Sequence, residues 1–143
     1  MGLFDALDAS GSALSAERVR MDVTAENLAN AQSTRTANGQ GPYRRKEVVL
    51  QEAGACVGPS FADSLQAARG VKVAGIVEDP TPSRRVYDPG HPDADAQGYV
   101  EMPNVNTVTE MTDLIGASRA YEANVTAMQT TKSMFARTLD ILK

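Results

Sequence analysis

The residues best suited to chemistry sit together in DPGHPDADAQG, where His91, Asp93 and Asp95 bring an imidazole beside two carboxylates. Such groups are metal ligands or acid–base partners, and would suit a small metal-dependent hydrolase. Their setting argues for another role. Pro89, Gly90 and Pro92 mark a turn, and an Asp in a turn ordinarily hydrogen-bonds its own backbone. His91 is the only histidine, so no second imidazole completes a ligand set, and no Gly-x-Ser-x-Gly elbow accompanies it. Neither a Gly-x-x-x-x-Gly-Lys loop nor a Gly-x-Gly-x-x-Gly turn is present for nucleotides. The expectation is a protein that is not an enzyme and has no cofactor, metal or small-molecule substrate.

Charge narrows the partners. The 143 residues include 14 Lys plus Arg against 18 Asp plus Glu, a net charge of -4. That balance lacks the basic surplus needed to neutralise phosphates, so nucleic acid is excluded. The basic clusters Arg44, Arg45, Lys46 and Arg84, Arg85 are offset by nearby acids and read as a solvated strand face, the other reading being contact with an acidic patch on a partner. Cys56 is the single cysteine, which excludes an internal disulfide framework and a Cys-based zinc site. Asp5 and Asp8 stand where a secretory leader would carry Lys or Arg, and no apolar run approaches the roughly 18 residues of a membrane span. By those rules alone the chain is soluble and cytoplasmic.

Proline divides the chain. All seven prolines lie between Pro42 and Pro103, so the order is helix, irregular middle, helix. Leu7, Leu14, Met21 and Leu28 recur every seven residues, a narrow apolar stripe of the kind one helix offers another. This helix runs from about Asp5 to Asn30, where Asn tolerates the left-handed conformation that closes a helix. The second helix runs from about Thr107 to Leu142, with Leu114, Tyr121, Met128, Phe135 and Leu142 at the same spacing and Met111, Val125 and Leu139 on a parallel row. Thr107 with Glu110 reads as a capping box. Between the helices, Glu47 to Gln51, Val71 to Val77 and Arg85 to Tyr87 are β-prone and predict a small antiparallel element. Residues 53–70 read as a loop with one helical turn around Ala62 to Ala68, leaving Cys56 incidental. The chain thus divides into 1–33, 34–103 and 104–143. The expected fold is mainly α, its long terminal helices pairing as an antiparallel coiled coil beside a β-rich middle.

Two such helices are hard to cover with this chain. Seven aromatics and no Trp make a thin core, and Val19, Val23, Ile115 and Ile141 widen the apolar arcs beyond the stripes. Small residues, Ala25, Ala29 and Ala31 in one helix and Gly116, Ala117 and Ser118 in the other, favour close lateral packing. Asn27, Asn30 and Asn124 lie beside apolar positions, where an amide needs a partner and can fix register. These three and the two sets of apolar rows are the candidate subunit-contact residues.

The segments SALSAERVRMDVTAENLANAQST (12–34), YDPGHPDADAQGYVEMPNVN (87–106) and EMTDLIGASRAYEANV (110–125) together resemble the bacterial flagellar basal-body rod proteins, nearest to their proximal-rod members. The resemblance covers nearly the whole chain, and its middle motif is the most specific. It implies a structural subunit whose terminal helices pack against copies of itself and other rod proteins, forming a hollow helical rod through the periplasm that transmits torque in motility. It implies contacts with basal-body ring and adaptor proteins, and export through the flagellum's own type III apparatus on an uncleaved signal, which overturns the cytoplasmic expectation. Two other readings remain open: a cytoplasmic export adaptor or chaperone for axial proteins, and the hydrolase built on His91.

Overall fold

The computed structural model describes residues 3–36, 41–53 and 70–141. Helix α1 (Leu3–Ala29) and helix α2 (Thr107–Ile141) bracket β1 (Lys46–Glu52), β2 (Val71–Glu78), β3 (Arg84–Tyr87) and β4 (Tyr99–Met102). β1 pairs with β2 and β3 with β4, each pair an antiparallel two-stranded sheet. The two helices and the small antiparallel element match the sequence reading. β4 was not anticipated, since YVEM is too short to display an alternation. Cys56, Leu142 and the helical turn expected at Ala62 to Ala68 lie outside the described residues.

Both helix ends correct the reading of their caps. Asn106, not Thr107, begins α2: its Oδ1 accepts a hydrogen bond from the Val108 amide at 3.1 Å, the bond an N-cap makes to the second helical residue. That shift of one position leaves Glu110 too far along the helix for a capping box, and its carboxylate turns inward instead. At the end of α1 no described non-glycine residue has positive φ, so Asn30 does not close the helix in the left-handed conformation. Its Nδ2 donates to the Glu26 carbonyl at 2.9 Å, and its Oδ1 accepts from the Ser33 hydroxyl at 3.1 Å.

The helices pass each other in opposite directions. Asn27, near the end of α1, hydrogen-bonds Glu110, near the start of α2, while a β-carbon on Gly11 would lie 3.8 Å from Met128 Cε. Ala16 and Val23 of α1 and Ala117 of α2 are buried, and side chains as small as alanine let helix backbones approach closely. Val100, 2% exposed, Tyr43 and Pro103 are buried as well. Ser12 fastens the first sheet to α1, its Oγ accepting from the Val71 amide at 3.1 Å and donating to the Ala9 carbonyl at 2.8 Å.

Gly70 enters β2 at φ +123°, and a β-carbon there would collide with the Ser12 side chain. Gly70→Ala is therefore expected to cost about 1 to 3 kcal/mol, read as a lowered urea midpoint with an unchanged slope.

Candidate assembly interface

The most buried large side chains include two polar ones. Glu110 and Asn27 are each 1% exposed. An amide has two donor hydrogens and two acceptor lone pairs, and Asn27 uses all four. Its Nδ2 donates to the Lys46 carbonyl at 2.8 Å and to Glu110 Oε2 at 3.0 Å; its Oδ1 accepts from the Tyr43 hydroxyl and the Lys46 amide, both at 2.9 Å. Glu110 Oε1 accepts from Arg45 Nε at 2.6 Å. The same guanidinium pairs with Glu47, with Asp79 at 3.5 Å and with Asp113 at 3.9 Å. Asn104 Oδ1 receives the Arg45 amide at 2.8 Å. This hub joins the end of α1, the entry to β1, the exit of β2 and the first turns of α2.

The electrostatics follow from this crowding. Burial pulls the Arg45 pKa down, but the hydrogen bond and charge of Glu110, with Glu47 behind it, outweigh that and raise it. The Tyr43 hydroxyl is pushed up to about 12, first by burial and then by the negative charges of Glu26, Glu110 and Glu78. Arg45 corrects the reading of YRRK as a uniformly solvated strand face: its side chain is only 20% exposed and its acidic partners belong to the same chain. The sequence marks Asn27 as an amide needing a partner but not what that partner is, because the hub's members share no periodicity and Asn27 and Glu110 are 83 residues apart.

The expected contact rows lie beside the buried seam. Leu7, Leu14, Met21 and Leu28 are half-buried; Leu28 follows the buried Asn27 by one residue, about 100° further round the helix. On α2, Leu114, Tyr121, Val125 and Met128 are half-buried, whereas Met111, Phe135 and Leu139 are 52%, 40% and 49% exposed. Asn124 is also half-buried and donates to the Ala120 carbonyl at 2.9 Å. Of the three asparagines, Asn27 is saturated inside the chain, and Asn30 and Asn124 each return a bond to their own helix.

The stretch containing His91 is a braced turn. Asp95 Oδ1 accepts from the Gln97 and Tyr99 amides at 2.8 and 2.9 Å, the Tyr99 bond contributing most to a carboxyl held below the usual range. His91 Nδ1 accepts from the Asp93 amide at 3.1 Å. Asp93 takes the Thr34 hydroxyl at 2.7 Å and pairs with Arg35, and Thr34 leads the causes that depress its pKa. The turn is thereby tied to the segment following α1. Among the described residues no group of three or more His, Cys, Asp or Glu is placed to hold a metal ion.

Comparison with known proteins decides what this arrangement belongs to. The family model described as "Flagella basal body rod protein" matches residues 7–35, and that described as "Flagellar basal body rod FlgEFG protein C-terminal" matches residues 96–141. The chain is 48% identical to the flagellar basal-body rod protein FlgC of Bacillus subtilis over the full length of both. The chain belongs to the FlgC family of flagellar basal-body rod proteins. It is also 48% identical to the Yersinia enterocolitica member, covering 99% of this chain and 98% of that one. The Borreliella burgdorferi member is 45% identical, with 100% and 99% covered. It is thus a structural subunit of the flagellar basal-body rod and not an enzyme. No described helix is long and apolar enough to cross a membrane.

Two outcomes test the hub. Glu110→Ala leaves Arg45 half-buried without its main partner and should cost about 3 to 5 kcal/mol, whereas Glu47→Ala, from an exposed carboxylate, should cost under about 1 kcal/mol; chemical denaturation separates them. Tyr43 titrates near 10 when unfolded and about 12 when folded, so its stabilisation is complete below pH 10 and lost as pH rises from 10 to 12. The stability gap between wild type and Tyr43→Phe should close across that window.

Proposed function

We propose that this subunit contributes a stretch of a hollow helical rod through the periplasm. Its α1 and α2 would pair as an antiparallel coiled coil that packs against copies of itself and other rod proteins and transmits torque. Passage out of the cytoplasm through the flagellar export apparatus, on an uncleaved signal, fits a chain whose apolar core is thin. Ring and adaptor proteins of the basal body are the further neighbours in this reading.

The observation that carries it is the inverted distribution of apolar side chains. Among the described residues the buried apolar side chains of α1 and α2 are Ala16, Val23 and Ala117, while Val108, Met111, Ile115, Met134, Phe135 and Leu139 are 40% to 71% exposed along α2. Exposed apolar rows of this extent mark contact surfaces. The half-buried rows of Leu7 and Leu114 continue the same surfaces, and the helices order mainly on assembly, with intersubunit burial offsetting the entropy.

Circular dichroism over a concentration series tests this: helicity should rise with association. A dilute monomer with full helicity and no tendency to associate when concentrated would count against it. Tyr121→Leu should be tolerated and Tyr121→Asp should abolish rod assembly; normal rods in the Asp variant would reject the surface.

A further inference from the structure

The faces that α1 and α2 turn away from each other are complementary. On α1, Arg18, Asp22, Ala25 and Ala29 are exposed and follow one another by four, three and four residues, so they share one face. On α2, Met111, Ile115, Arg119 and Glu122 are exposed and also share a face. Among the described residues none of the four charged groups has an ion-pair partner in the chain.

We propose that α2 of one copy packs antiparallel on α1 of a second copy along these faces. This rests on the assembly reading above and names the contact. One register satisfies all four positions. Arg119 meets Asp22 and Glu122 meets Arg18, two opposite-charge pairs one turn apart. The same register lays Ile115 over Ala25 and Met111 over Ala29, a large apolar side chain on a small one each time. A parallel arrangement that keeps Arg119 on Asp22 puts Ile115 on Arg18 and Glu122 on Ala25, and loses the match. A second copy is the occupant because this chain carries both halves of the match.

The register has a geometric consequence. Within the chain Asn27 lies level with Glu110, and the intersubunit register differs from that by three or four residues, about 5 Å along the axis. Neighbours therefore stand side by side, nearly level. The face given by α2 differs from the face received on α1, so the contact is heterologous and copies add into a ring or a slowly climbing helix.

Charge exchange tests the contact in the flagellated bacterium that makes the protein, with the chromosomal copy replaced. Arg119→Asp and Asp22→Arg should each reduce soft-agar spreading and recovery of intact rods at least about fivefold, and the double variant should restore most of both. Thermal midpoints of the purified single variants should stay at the wild-type value, because neither side chain has an internal ion pair. A single variant that spreads normally, or a double variant no better than the singles, overturns the contact. A second measurement avoids charge reversal: in a Cys56→Ser background, mixed Arg119→Cys and Asp22→Cys chains should form a disulfide dimer faster than either alone, and equal rates overturn the contact. Tyr121→Asp separates the two levels: if it blocks rods while the charge variants do not, only this contact falls, and if it too is motile, the assembly reading falls with it.

Discussion

A carboxylate almost wholly removed from water organises this chain. Glu110 stands in the first turns of α2 with Asn27 on one oxygen and Arg45 on the other, and each contact reaches a different part of the sequence. A buried charge is tolerable only when paired and hydrogen-bonded, so the carboxylate specifies where the end of α1 and the entry to β1 must lie. Apolar burial alone would not give that specificity. The buried apolar side chains are few, and alanines can slide past one another at little cost, whereas an amide with four satisfied hydrogen bonds has one position.

The hub also explains how so small a core supports helices of 27 and 35 residues. Directional bonds fix the helix pair at its junction with the sheets, and small side chains hold it along its length. Large apolar residues are left over for the outside, the reverse of a self-sufficient globular domain. Membership of a rod family gives that reversal a physical sense, since a subunit of an assembly keeps its adhesive residues where other chains can reach them.

Much of the fold was legible. Seven-residue spacing and the confinement of proline placed both helices to within about two residues of their observed ends, and three of the four strands followed from β-branched runs. The misreadings have specific causes. Searching for large apolar residues passes over Ala16, which is 3% exposed and whose smallness hides it from such a search. The cap of α2 differs by one position because Thr107 and Asn106 are both capable residues, and only the observed bond from the Val108 amide distinguishes them. Arg45 looked like one base among several in YRRK, and nothing local reveals that Asp79, Glu110 and Asp113 join the neighbouring Glu47 around it.

The buried polar fastening of α1 to α2 described above, Asn27 on Glu110, stands at one end of the pair. Mechanically this is a cantilever, in which deflection under a given side load grows with the cube of the distance from the clamp. The first sheet shares any lean of the stretch around Leu7 and Met128, because Ser12 ties that part of α1 to the Val71 amide, so a side load on the helix pair reaches β2 as well.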